Sequence, residues 1–256
     1  MVRAAFFDLD KTILDTSSNV ALSGPFIEAG LMNRRTALTS VLVQLPYLLA
    51  GADESRMEQM AQALGRMGRG WNAAFLEATV EDALERTIQP VCYAQALARI
   101  EAHKRAGDVV VIASASVEQV VRPIAQMLGA DEVLASRAAV DNDGCFTGEI
   151  THFNQALGKA DACEALARAR GWDLSECSAY SDSVSDAPLL RLVGHPYAVN
   201  PDRALREMAQ REGWPTLTFT STVRVLPREV PTPAKVAVPF IVGVAVGAAA
   251  CALLRR

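Results

Sequence analysis

The stretch 2–15, VRAAFFDLDKTILD, constrains the fold more than any other part of the chain. Val2, Ala4, Ala5, Phe6 and Phe7 make a short, nearly continuous apolar run. Such a run suits a strand buried on both faces, as in a parallel sheet covered by helices. Asp8 and Asp10 follow at once, with Thr12 just beyond. In open α/β sheets ligands bind outside the carboxyl ends of strands, so these side chains stand where a site is expected. Two carboxylates so close repel each other unless a cation or a proton lies between them. Hard oxygen ligands at a strand tip suit Mg²⁺, which keeps several waters and takes one or two carboxylates together with phosphate. A D-x-D pair alone reads more simply as a polar turn. The full D-L-D-K-T string after an apolar strand does not.

The rest of the chain alternates. Residues 16–89 show helical apolar spacing and no convincing strand. Within them Pro46 should kink or break the apolar stretch 39–50. A turn at 51–54, a Met- and Ala-rich helix to about Met67, a break at Gly65, Gly68 and Gly70, and an amphipathic helix over 72–87 follow. Pro90 opens a helix that Gly107 closes. The β-branched run 108–113 predicts a second buried strand ending at Ser114, and a helix follows over 117–128. A third strand is expected over 131–135. The D-N-D-G turn string predicts a hairpin of 139–140 with 145–150. Lys159 opens an Ala/Leu-rich helix to about Arg170. Strands at 177–180, 196–199 and 216–220 alternate with helices at 185–192 and 201–211. The pattern predicts an α/β fold, with a doubly wound, Rossmann-like parallel sheet. Its core is 1–15 and 90–222, with 16–89 inserted as a helical cap over the strand-end site and 223–234 as a Pro-rich linker.

The motifs in order form a set: Asp8-x-Asp10-x-Thr12 at one strand end, Ser114 at another, Lys159 at a helix start, and Asp182 and Asp186 in S-D-S-V-S-D after a later strand. This set resembles the haloacid dehalogenase-like hydrolases, and is similar to the branch that includes phosphoserine phosphatases. The resemblance spans about residues 2–220. It implies a Mg²⁺-dependent phosphomonoester hydrolase. Asp8 would be the nucleophile, giving an aspartyl phosphate. Asp10 would protonate the departing alkoxide and then deprotonate the hydrolytic water. Ser114 and Lys159 would contact phosphoryl oxygens and offset their charge. Asp182 would hold the metal with Asp8 and the main-chain carbonyl of Asp10. Asp186 would support the metal directly or through water, and Thr12 would hold the first loop by hydrogen bonds. The resemblance leaves two other readings: a phosphotransferase using the same intermediate, and a non-catalytic, membrane-tethered binding protein on a retained fold.

The chain departs from that branch in two places. Thr16-Ser17-Ser18-Asn19 carries no acid where phosphoserine phosphatases place one for the substrate amine, and the next acid is Glu28. Arg56, Arg66 and Arg69 lie in the cap, but none aligns with the family's carboxylate-binding arginine. Ser183 stands where a glycine is common after the first acid of the last motif.

With 256 residues, 50% hydrophobic, the chain is long enough for one α/β domain with an insertion. A net charge of −4 gives no reason to expect nucleic acid as a partner. The cysteines, Cys92, Cys145, Cys163, Cys177 and Cys251, are scattered without a C-x-x-C pair, which suits reduced thiols in the cytoplasm. The N-terminus shows no signal-peptide pattern. His103, His152 and His195 are too dispersed for a metal site. Residues 236–254, VAVPFIVGVAVGAAACALL, carry no charge and no polar stripe. A membrane span needs about 20 such residues, so a single-pass tail over 235–256 is expected, with the catalytic domain on the cytoplasmic side. Gly243 and Gly247 form a G-x-x-x-G pair that could serve a homodimer. The tail suggests a lipid phosphate as substrate, beside a phosphoserine-like small molecule.

Overall fold

The structure, a computed structural model, describes residues 3–33 and 54–223. Strand β1, Ala4–Phe7, is wholly buried. It sits at the middle of a seven-stranded sheet of order β4-β3-β2-β1-β5-β6-β7. The other strands are β2 (Val109–Val117), β3 (Glu132–Val140), β4 (Phe146–His152), β5 (Ser178–Ser181), β6 (His195–Val199) and β7 (Thr216–Leu217). All neighbours are parallel except β3 and β4, which form an antiparallel hairpin.

Alternation along β1 divides the core in two. Ala5 and Phe7 face one apolar layer, with Val110, Ile112 and Tyr180. Ala4 and Phe6 face the other, with Val111, Ala113 and Ala179. The first layer is covered by α4 (Ala73–Ala83), α5 (Ala94–Ala106) and α6 (Glu118–Met127), which contribute Val80, Ile100 and Ile124. The second is covered by α7 (Leu157–Arg170), α8 (Ala187–Leu192) and α9 (Arg203–Glu212), which contribute Cys163, Leu190 and Leu205. Burying each Phe of β1 contributes roughly 1.5–3 kcal/mol.

Three rings lock the register of the central strands. Phe7 is opposite Tyr180, which is opposite Tyr197. Their planes stack at 4.4 Å and 4.7 Å between centroids. Stacked pairs of this kind add about 0.5–1.5 kcal/mol each beyond area burial. A one-residue slip would move every side chain of a strand to the other face, so this ladder also fixes which residues emerge together at the strand tips.

Within 16–89 the described chain forms no strand of the sheet and carries four helices: α1 (Ser18–Ala21), α2 (Ser23–Glu28), α3 (Glu54–Gly68) and α4. Gly65 and Gly68 lie inside α3, and the break falls at Gly70, whose φ is 82°. Helix α3 packs on β4 so closely that a Cβ on Gly65 would lie 2.1 Å from the Gly148 carbonyl oxygen. Asn72 caps α4 by accepting from Phe75 N–H at 2.9 Å. The helix then gives way to a π turn, Leu84–Ile88, instead of continuing to residue 87.

Several boundaries differ from the sequence expectation. Pro90 belongs to a separate 3₁₀ turn, Gln89–Val91, and does not open α5. The chain first extends at Cys92 and Tyr93 to bond the loop after β1, with Tyr93 N–H donating to the Ile13 carbonyl at 2.8 Å. Ser114 is inside β2, which runs on to Val117 with a register shift after Ala113. The expected third strand and the first hairpin arm are one strand, β3. Helix α8 begins after a 3₁₀ turn, Val184–Asp186, and β7 stops at Leu217. The apolar stretch 39–50, most of the linker 223–234, and the tail with Gly243 and Gly247 lie outside the described residues. Among the described residues no helix is long and apolar enough to cross a membrane.

Candidate active site

The strand register gathers the motif residues at one sheet edge. Phe7 pairs with Ile112 on one side and with Tyr180 on the other. Asp8 therefore leaves the sheet level with Ala113 and Ser181, and its N–H donates to the Tyr180 carbonyl at 2.9 Å. Asp8 shares its parity with Phe6, so its side chain points into the layer covered by α7, the helix that carries Lys159. A tight turn follows: Leu9 accepts from Ile13 and Leu14 N–H, both at 3.0 Å, and Lys11 takes a φ of 60°.

Lys159 is buried, 1% exposed, at the start of α7. Its Nζ donates to Asp8 Oδ1 at 2.7 Å and to Asp186 Oδ2 at 2.8 Å. Ser181 Oγ donates to the same Asp186 oxygen at 2.7 Å. An ammonium taken from water is costly, but two carboxylates more than offset this and hold Lys159 above its ordinary range. Burial pushes Asp8 up to about 7 although Lys159 pulls the other way, and the Asp186 charge adds to the rise. Asp182 is pushed up to about 8, first by burial and then by Asp8 and Asp186. The cluster is short of positive charge.

Asp10 Oδ1 accepts from Ser18 N–H at 2.7 Å, at the first turn of α1. Burial raises its carboxyl despite that bond. Thr12 Oγ1 reaches across to Asp182 Oδ1 at 3.4 Å, so it ties the first loop to the last motif as well as standing within it. Ser114 is buried, and its Oγ accepts from Ser116 N–H at 3.2 Å. Ser183 has φ −115° and ψ 140°, ordinary extended backbone, which explains why no glycine is needed there.

Spacing alone did not reveal three supporting residues. Ser181, one position before Asp182, holds Asp186. Ser18 supplies its amide to Asp10. Asn154 donates through Nδ2 to the Ser114 carbonyl at 3.0 Å and to the Leu134 carbonyl at 2.9 Å, fixing the end of β2 to β3. Ser181 was visible within S-D-S-V-S-D; nothing around Asn154 signalled its role. Ala156, just before α7, adopts φ 50° and ψ −117°, a strained setting for a residue with a Cβ.

A model of the haloacid dehalogenase-like hydrolase family matches residues 5–191. The chain belongs to this family. It is 46% identical over 252 residues to the "Inhibition of morphological differentiation protein" of Streptomyces azureus, covering 96% of this chain and 89% of the relative. It is 45% identical over 257 residues to a "Probable phosphatase" of Mycobacterium tuberculosis, covering 99% and 89%. A solved structure of a protein with unknown function from Bordetella pertussis superposes with a TM-score of 0.73 at 28% identity, covering 85% of this chain and 98% of that one. This haloacid dehalogenase-like hydrolase is an enzyme, a phosphatase.

The family implies a divalent cation, and the residues fit one. Asp186 Oδ1 is buried with no hydrogen-bond partner, and the burial of Asp8 and Asp182 is only partly offset by nearby positive charge. Among the described residues no three His, Cys, Asp or Glu side chains already converge as a cage. The implied set needs only two carboxylates and one main-chain carbonyl, with water and phosphate completing the shell.

Proposed function

We propose that this hydrolase cleaves phosphomonoesters through an aspartyl phosphate on Asp8, with Mg²⁺ as cofactor. The observation that carries the reading is the buried Lys159 ammonium between Asp8 and Asp186 at the carboxyl edge of the sheet. Lys159 fixes one Asp8 oxygen, leaving the other to attack phosphorus. The bond from phosphorus to the leaving oxygen breaks, and that oxygen takes the proton of Asp10. Burial favours the protonated acid, while the Ser18 amide holds the side chain in place. Asp10, now a carboxylate, takes a proton from the water that attacks the acyl phosphate, which releases phosphate and restores Asp8. Lys159 and the Ser114 hydroxyl offset charge on the phosphoryl oxygens. Asp8, Asp182 and the Asp10 carbonyl would hold Mg²⁺, with Asp186 in support and Thr12 positioning Asp182. When bound, the ion supplies positive charge beside the phosphoryl oxygens.

In the same reading residues 16–89 are a cap that helps select the substrate. Residues 235–256 tether the catalytic domain to a membrane, facing the cytoplasm, and the substrate is a phosphoserine-like small molecule or a lipid phosphate. The tether rests on the uncharged run 236–254. Vesicle flotation of the full chain tests it: a chain that stays at the bottom of the gradient removes the tether without touching the catalytic reading.

The catalytic reading is tested by phosphate release from a panel of phosphomonoesters, with and without Mg²⁺. Asp8→Asn is expected to abolish turnover. Asp10→Asn should slow it about 10²–10⁴-fold. Wild-type turnover by Asp8→Asn ends the nucleophile assignment.

A further inference from the structure

An apolar cleft with a cavity volume of about 50 Å³ is lined by residues of the insert, of β2 and of the β3–β4 hairpin. Its polar side chains are those of Ser116 and Asn19. Ser116 N–H donates to Ser114 Oγ at 3.2 Å, and the Ser116 hydroxyl lies 3.2 Å from that of Ser18. Ser18 in turn gives its amide to Asp10 at 2.7 Å. A residue that lines the cleft is thus linked through one serine to the proposed acid. Phe26, Trp71, Phe146 and Ile150 supply aromatic and aliphatic walls, with Phe26 edge-on to Trp71 at 6.0 Å. These residues come from α2, the α3–α4 turn and the β4 arm, so the insert and the hairpin make the cleft together.

No charged side chain among the described residues lines it. Arg66 and Arg69 are exposed, and Glu28 is exposed as well. A phosphoserine bound here would bring an ammonium and a carboxylate against aromatic and aliphatic side chains, with no counter-charge among the described lining residues. Burial of unpaired charge is strongly unfavourable, whereas each methylene placed there is favourable.

We infer that the cleft receives the leaving group of the phosphomonoester and selects one that is uncharged and apolar. The inference rests on the phosphatase reading above and deepens it. An alkyl alcohol, a phenol or a lipid backbone shares that chemistry.

The test compares kcat/KM of the full chain for n-octyl phosphate, phenyl phosphate, lysophosphatidate, ethyl phosphate and O-phosphoserine. At least about a tenfold preference for n-octyl over ethyl phosphate, and over O-phosphoserine, is expected. Phenyl phosphate and lysophosphatidate then separate an aryl from a membrane-borne source. Gly68 lines the cleft, and a Cβ there meets only Phe146 at 3.8 Å, an ordinary contact, so Gly68→Leu is the variant chosen to fill the space. It should bring the octyl-to-ethyl ratio towards one. A binding arm is independent of turnover: octylphosphonate should bind about tenfold more tightly than ethylphosphonate, read by tryptophan emission. A flat panel, or O-phosphoserine matching n-octyl phosphate, overturns the inference and leaves the phosphatase reading. Preferential octylphosphonate binding without hydrolysis of any ester overturns the phosphatase reading and leaves the cleft's preference. Equal binding of the two phosphonates overturns the inference whatever the turnover.

Discussion

Lys159 Nζ stands 2.7 Å from Asp8 Oδ1 across 151 positions of sequence, and the same ammonium reaches Asp186. The contact joins the tip of β1 to the first turn of α7. Each partner is buried, so neither can be removed without leaving the other's charge exposed to a poor solvent.

Lys159→Met should therefore cost about 3–5 kcal/mol of stability, as loss of one partner of a buried ion pair does. Phosphatase activity should disappear. Adding Asp186→Leu should recover part of the stability and none of the activity. Urea unfolding of the single and double variants measures this; a single variant as stable as wild type would contradict the buried bridge.

Without a cation, stability should fall as pH rises. The folded carboxyls of Asp8 and Asp182 titrate at about 7 and about 8, against 3.8 when free. Between 3.8 and about 8 the folded state holds protons that the unfolded chain has lost. Stability therefore declines through that window and is lowest above it. Mg²⁺ should raise the Tm at pH 8 by several degrees and at pH 5 by much less, because protons compete for the same oxygens. Thermal unfolding in EDTA and in Mg²⁺ checks the sign, and equal Mg²⁺ effects at the two pH values would refute the assignment.

At the opposite end of the central strands, Asp108 accepts from Arg3 at 2.9 Å and contacts His103 Nδ1 at 2.8 Å, while His103 Nε2 meets Tyr180 Oη at 2.8 Å. Burial alone would raise Asp108, but the His103 and Arg3 bonds outweigh it and hold the carboxyl below its ordinary range. Its contribution is present above the unfolded value of 3.8 and is lost as pH falls through the lower folded value. Asp108→Asn should cost about 1–2 kcal/mol at neutral pH with kcat/KM unchanged. The difference from wild type should shrink under acid below the ordinary carboxyl range. Unfolding curves at neutral and acid pH decide it, and a gap that grows in acid would reverse the sign.

Gly65→Ala should destabilise by about 1–3 kcal/mol despite the better helix propensity of alanine. The new methyl would meet the Gly148 carbonyl at 2.1 Å, which is backbone and has little room to yield. Gly68→Ala, in the same helix and with only an ordinary contact to Phe146 at 3.8 Å, is the control and should be neutral or stabilising. Denaturant midpoints of the two variants give the comparison; a neutral Gly65→Ala would mean that α3 does not pack on β4 at this distance.

The local pattern was enough for the α/β class, the buried first strand and the placement of acids at strand ends. Apolar periodicity and turn chemistry are local properties, and Gly107, at φ 79°, closes α5 as its position implied. The motif set could also be named, because residue type and order survive in a linear string. What the string could not carry was where each bond goes. Thr12 reaches Asp182, Ser181 holds Asp186, and Asn154 ties Ser114 to β3, all by side chains whose partners lie across strands or turns. Pro90 failed to start a helix because Cys92 and Tyr93 found partners in the loop after β1, a tertiary contact that overrode a local preference. The apolar cleft belongs to the same category. Its walls come from segments distant in sequence, and only packing brings these described, uncharged side chains around one space.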